Sequence, residues 1–296
     1  MREREVALPG LSGDGLLREP DSGSVRGGVV ALHGAADPSR RQPLFDHLAA
    51  TLTQVGYAVL TFDRRDPGPD GGDVPLDVQA TDARVALTVL EKLVGAPVGL
   101  FAFSQGAWAA CLAAAAPDRP DVAHLALVGC SGVSPAEQMR YFTDELLRRA
   151  GYDEVARGLL RELRLAMEDV LRGRGDRDRA AALLAHAVGQ PWFEHAYLPT
   201  ELPPADLRWD DLDHDPRAAV AEVRCPTLLL HGEDEECVPV APSVAIWEVA
   251  PADVSAHLLP GCGHYPSVGS GARPGVAGAP SSDYTALLRG WYDALA

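Results

Sequence analysis

The chain has 296 residues, 47% hydrophobic and 23% charged, the composition of a folded globular protein with room for one large core or two ordinary ones. Its formal net charge of −16 argues against nucleic acid or an anionic membrane surface as a partner. The five cysteines Cys111, Cys130, Cys225, Cys237 and Cys262 form no CxxC pair, so reduced thiols in a cytoplasmic setting are expected rather than a disulfide framework. The start MREREVALPG lacks an apolar signal core, and no apolar run reaches the roughly 18 residues of a membrane span, so neither secretion nor membrane insertion is expected.

In chain order, GGVVALHG (27–34) is a short β-branched run ending in glycine, as in a buried parallel strand. PLFDHLAATLTQVGY (43–57) has helical spacing at Leu44, Leu48, Leu52 and Val55, closed by Gly56. AVLTFD (58–63) is the next strand, followed by a Pro/Gly/Asp loop (66–74) and a helix through 78–93. PVGLFAF (97–103) is a third strand, QGAWAACLAAAA (105–116) a helix, and VAHLALVG (122–129) a fourth strand. This alternation predicts a mostly parallel twisted sheet covered by helices on both faces.

The alternation stops at about residue 134. From there to about 216 the pattern is that of arginine-rich amphipathic helices, followed by an aromatic stretch with Trp192, Phe193, Tyr197 and Trp209. Strands return at PTLLLHG (226–232) and VSAHLLPG (254–261), and a last helix covers 282–295. The Gly/Ser/Pro-rich tract 267–282 reads as a surface loop. The helical block is therefore an insertion: residues 1–133 and 217–296 form the core, and 134–216 a helical cap over the carboxyl ends of the strands, where open α/β sheets bind ligands. Its arginines alternate with Asp and Glu three or four residues away, the pattern of solvated ion pairs rather than of an anion site. The same amphipathic cap offers a possible homodimer face.

GLFAFSQGAW (99–108) places Ser104 between a buried strand and a helix, with the small residues Ala102 and Gly106 two positions either side. Such a turn lifts the serine oxygen above the sheet edge and presents helix-start N–H groups to developing negative charge. By itself the string also fits a serine capping a core helix. LLPGCGHYP (258–266) supplies His264 after a predicted strand, and LLLHGEDEECVP (228–239) supplies carboxylates after the preceding one. The order serine, acid, histidine is the one this architecture requires for nucleophilic catalysis. HGAAD (33–37) can turn the Ala35 N–H toward an oxyanion, with the Gln105 N–H as second donor.

On these motifs the chain resembles an α/β-hydrolase over nearly its whole length. More narrowly it resembles bacterial serine hydrolases and esterases related to the catalytic domain of prolyl oligopeptidases, on HGAADPSRRQPLFDHLAATLTQVGYAVLTFDRRDPGPDGG, GLFAFSQGAW and SGVSPAEQMRY. Where those relatives carry glycine and serine, this chain has Asp66 and Asp70. The family spacing G-x-x-D-x-x-V-P, laid on Gly232 to Pro239, puts the acid at Glu235, with Asp234 the rival if the loop shifts by one residue. Glu233 and Glu236 read as solvated, His33 as shaping the oxyanion loop, His231 as packed structure, Cys237 as space-filling and Cys262 as a small rigid loop residue. Asp63 and Arg65 read as loop-stabilising partners.

The resemblance implies a metal-free serine hydrolase without a cofactor, acting on an ester of a small or medium-sized molecule through an acyl-enzyme. An oligopeptidase-like amidase, or a thioesterase or acyltransferase, would use the same residues. The competing class is a ligand-binding α/β-hydrolase that has lost turnover.

Overall fold

The computed structural model describes every residue except 12, 22, 67–72, 118–120, 270–277 and 296. Asp70, most of the Pro/Gly/Asp loop and much of the Gly/Ser/Pro-rich tract therefore lie outside the described residues. Among the described residues, eight strands form one sheet: β1 Arg2–Val6, β2 Gly15–Glu19, β3 Gly27–Leu32, β4 Tyr57–Thr61, β5 Val98–Phe103, β6 Leu125–Val128, β7 Thr227–Gly232 and β8 Val254–Leu259. Their order is β1-β2-β4-β3-β5-β6-β7-β8. From β4 to β8 all neighbours are parallel, and β2 joins β4, and β1 joins β2, antiparallel.

The helices are α1 Pro43–Leu52, α2 Leu76–Val94, α3 Gly106–Ala115, α4 Pro135–Arg149, α5 Glu154–Leu171, α6 Arg177–Val188, α7 Arg217–Val220, α8 Val240–Ala245 and α9 Ser282–Ala294. Successive residues of β3 face opposite layers, as the period-two pleat requires. Val29 and Ala31 pack with Leu44, Phe45 and Leu48 of α1 and with Tyr284, Leu288 and Tyr292 of α9. Val30 and Leu32 pack with Ala83, Leu87 and Leu90 of α2 and with Ala107, Ala110 and Cys111 of α3. Covered on both faces, β3 is buried at all six positions, which explains its unbroken apolar run. Each Leu or Val so buried contributes about 1.5–3 kcal/mol.

The antiparallel β1–β2 pair is not anticipated by the sequence pattern. The strand β1 is REREV, exposed at four of its five positions, so it lacks the apolar alternation by which strands are recognised. It lies at the outer edge of the sheet, where charged side chains discourage edge-to-edge pairing. The partner β2 is buried, and Arg18 within it, 2% exposed, pairs with Glu3 at 3.1 Å and with Asp46.

Between β6 and β7, α4, α5 and α6 each start on a side-chain cap: Ser134 in a capping box with Glu137, Asp153 on Ala156 N, and Asp176 on Arg179 N. They share an apolar cluster of Leu147, Leu160, Leu163, Met167, Leu184, Trp192 and Phe193. Trp192 and Phe193 thus fill this helical layer itself. Most of its arginines pair locally, Arg148 and Arg149 with Glu145, and Arg157 and Arg161 with Asp144. The pair of Arg140 with Glu168 differs, because Glu168 is only 3% exposed. Three residues of α4 reach the loop after β7: Gln138 Nε2 donates to Cys237 O at 2.6 Å, Arg149 Nη2 donates to Glu235 O at 3.2 Å, and Phe142 packs on Cys237 and Val238. No helix among the described residues is long and apolar enough to cross a membrane.

Candidate active site

Ser104 follows β5 and precedes α3 with φ +52, a left-handed backbone that a residue with a Cβ adopts only when its surroundings impose it. Its N–H donates to Val128 O at 2.8 Å and its carbonyl accepts from Ala107 N at 2.9 Å, so the turn is held from both sides. A Cβ at Gly106 would sit 2.5 Å from His33 O, so the helix start needs glycine to pass β3. Ala102 is fully buried in β5, where its methyl is accommodated between Leu32 and Leu127 in register.

Three side chains form one hydrogen-bonded line. Ser104 Oγ lies 2.8 Å from His264 Nε2, and His264 Nδ1 lies 2.9 Å from Glu235 Oε1. The Nδ1–H donates to the carboxylate, which leaves Nε2 as the acceptor for the serine hydroxyl. Glu235 Oε1 also accepts Cys237 N at 2.9 Å and Val238 N at 3.2 Å, so the loop's own backbone fixes the carboxylate. Burial alone would raise the Glu235 pKa, but the His264 ring beside it and these donors outweigh burial and hold it below the usual value. Burial likewise pushes the His264 pKa down, and the Glu235 charge reverses that, leaving it above the ordinary histidine value. The ring has little room: a Cβ at Gly129, itself at φ +61, would come 2.7 Å from His264 Cε1.

The acid loop departs from the sequence reading at Glu236. That residue is not solvated; it is 2% exposed, and its Oε2 accepts the His264 main-chain N–H at 3.2 Å. Burial and the neighbouring Glu235 charge push its pKa up. Glu233 is exposed and reaches Gly261 N at 3.3 Å. Asp234 is exposed too; its N–H bonds Cys262 O at 2.9 Å, which turns Glu235 rather than Asp234 inward. A Cβ at Gly232 would meet Gly263 O at 2.2 Å, so the acid and histidine loops run in close contact.

Ala35 and Gln105 flank the serine from two loops. Gln105 is the residue from which α3 starts. A Cβ at Gly34 would lie 3.4 Å from Ser104 Cβ, which places the loop after β3 against the serine. His33 is 3% exposed, edge-on to Phe45 and Phe62, with burial driving its pKa down to about 3, so it serves as neutral packing beneath that loop. His231 is buried with Nε2 2.9 Å from Cys130 O, and Cys262 is fully buried. Arg65 forks onto Asp82 at 2.6 and 2.7 Å, and Asp63 accepts Arg40 N at 2.7 Å. Between them Arg64, which the sequence reading passes over, contacts both flanking loops.

Glu235, Cys237 and His264 bring one donor atom each within 4.8 Å of one another, the one such grouping among the described residues. As a ligand set it is poor. Burial and the adjacent carboxylates raise the Cys237 thiol far from its thiolate form, and Glu235 Oε1 already accepts three hydrogen bonds.

An eight-stranded, mostly parallel sheet with helices on both faces, carrying a strained serine after its central strand, defines an α/β-hydrolase architecture. The sequence profile of the Alpha/beta hydrolase family matches residues 29–277, and the chain belongs to that family. Alpha/beta hydrolase domain-containing protein aho-3 of Caenorhabditis elegans is 42% identical over 45 residues, a segment covering 15% of this chain and 14% of that protein. Proline iminopeptidase of Mycobacterium smegmatis superposes with a TM-score of 0.59 at 17% identity, covering 99% of this chain and 98% of its own. The monoacylglycerol lipase of Paleococcus ferrophilus gives 0.54 at 17% identity over the whole of both chains. At such identities these likenesses establish the fold.

Proposed function

We propose that the protein is a serine hydrolase that cleaves a carboxylic ester of a small or medium-sized molecule through an acyl-enzyme, with residues 134–216 as a cap over the site. The observation that carries this reading is the line from Ser104 Oγ through His264 to Glu235, with links of 2.8 and 2.9 Å. In the proposed reaction His264 Nε2 takes the hydroxyl proton as Ser104 Oγ attacks the carbonyl carbon, and Glu235 stabilises the imidazolium. The Ala35 and Gln105 N–H groups receive the oxyanion. The imidazolium gives its proton to the departing alkoxide, and water activated by the same ring then releases the acid.

An ester is preferred to an amide because an alkoxide leaves more readily than an amine. Both a lipase and an iminopeptidase share the fold, so the fold leaves the bond to assay. The test is turnover of a p-nitrophenyl ester series beside the corresponding anilides, for the native protein and Ser104→Ala. Ester turnover abolished by Ser104→Ala supports the proposal; anilide turnover alone would replace the ester by an amide. Ester turnover equal in the two proteins would contradict it.

A further inference from the structure

The guanidinium of Arg64 gathers three acceptors that belong to two different loops. Its Nη1 donates to Gly34 O and to Gln105 Oε1, each at 2.9 Å, and its Nη2 donates to Ala35 O at 2.7 Å. Asp73 closes the ring from outside, 3.8 Å from Nη2 and accepting from Gln105 Nε2. The arginine is itself fixed: its N–H donates to Pro38 O at 3.0 Å, and its side chain is 12% exposed.

In a trans peptide the carbonyl and the N–H of the same unit point in opposite directions. Gly34 O and Ala35 N–H share one such unit. A donor that captures Gly34 O therefore decides where the Ala35 N–H points, and the second bond, to Ala35 O, fixes the next unit in the same way. If the 34–35 peptide turned over, its carbonyl would face the place assigned to the oxyanion, and a donor would become a repulsive dipole. A forked, planar cation is suited to hold two successive carbonyls and the side chain of the residue after the serine together in one fixed geometry.

We propose that Arg64 is a positioning residue that locks the 34–35 peptide with its N–H toward the reacting oxygen and ties that peptide to Gln105, so that the two oxyanion donors are set as one unit. This inference rests on the serine-hydrolase reading.

The test compares the native protein, Arg64→Met and Arg64→Lys in p-nitrophenyl acetate turnover and in affinity for an aryl trifluoromethyl ketone, which adds the serine to give an oxyanion. Deleting a donor outright costs about 10²–10³ in kcat, so loss of its orientation in Arg64→Met is expected to cost about ten- to a hundredfold, with KM within about threefold. Ketone affinity should fall in parallel. Lysine keeps the charge but not the fork, and should recover only part of the loss. A kcat within about threefold of native in folded Arg64→Met, or a fully native kcat in Arg64→Lys, would overturn the proposal, as would a fall in kcat without loss of ketone affinity. If circular dichroism shows Arg64→Met unfolded, Arg64→Lys is judged alone by the same two criteria. Ser104→Ala separates the levels: native-like turnover there sinks the hydrolase reading itself, whereas an inactive Ser104→Ala beside normal Arg64 variants sinks only the role of Arg64.

Discussion

The carboxylate of Glu236 accepts the main-chain N–H of His264 at 3.2 Å, while the side chain of the preceding residue, Glu235, holds the His264 ring. One loop thus fixes both the backbone and the imidazole of the proposed base. Both carboxylates are buried, and each leaves one oxygen without a partner among the described residues.

That arrangement predicts a pH effect separable from loss of structure. His264 must be neutral to accept the serine proton, and its pKa lies above the ordinary histidine value because Glu235, and then Glu236, favour the charged ring. Activity should therefore rise with pH through a value above the ordinary one. Arg149 of α4, 4.0 Å from Glu236, Tyr141, the Cys237 thiol and His231 are the other charged or titratable groups facing this cluster. Glu236→Gln keeps an acceptor for the His264 N–H and removes only charge. Its acid limb in kcat/KM should move to lower pH while kcat on the alkaline plateau stays within about threefold. An unmoved limb would show that the Glu236 charge does not reach the ring.

The acid can be assigned by substitution. Glu235→Gln removes the charge that stabilises the imidazolium and is expected to lower kcat by about 10³–10⁴. Glu235→Asp withdraws the carboxylate from the 2.9 Å contact and should retain more activity than glutamine, but well below native. Asp234→Asn should stay close to native, since the side chain is exposed. Steady-state kinetics of the three on one ester settles the order; a larger loss at Asp234 than at Glu235 would reverse the assignment.

Stability should depend sharply on two glycines. Gly106→Ala puts a methyl 2.5 Å from a backbone oxygen, that of His33, which cannot swing aside as a side-chain tip could. Overpacking of this kind costs about 1–3 kcal/mol. Gly129→Ala adds a clash with the His264 ring to about 1–2 kcal/mol for a left-handed backbone. Denaturant melts should show both losses. Gly290→Ala, where an added Cβ meets nothing within 4 Å, should instead stabilise by up to about 1 kcal/mol, as alanine does in a helix interior.

The sequence made the parallel strands and the order of the chemical residues readable because each buried strand is a continuous apolar run, and each candidate residue follows one directly. Ser104, Glu235 and His264 could be nominated in this way, and the structure brings them into one hydrogen-bonded line. Which of Asp234 and Glu235 faces His264 depends on the loop itself, through contacts such as that from Asp234 N to Cys262 O, between residues 28 apart. Glu236 departs from its expected exposure for a related reason: a run of acids looks solvated until a loop folds one of them inward. Arg64 carries no local signal at all. Its partners Gly34, Ala35, Asp73 and Gln105 come together only when the sheet forms. The strand β1 gives no sequence signal because an edge strand of alternating charge has no apolar period.

Whether Ser104 is an activated nucleophile is read most directly from reaction with a fluorophosphonate followed by mass-spectrometric mapping of the adduct, beside Ser104→Ala. One adduct per chain is expected, on Ser104, absent from the alanine variant and much slower to form in Glu235→Gln. Folded protein that takes up neither the fluorophosphonate nor a smaller sulfonyl fluoride, or that is labelled equally well in Ser104→Ala, would contradict nucleophilic activation of Ser104.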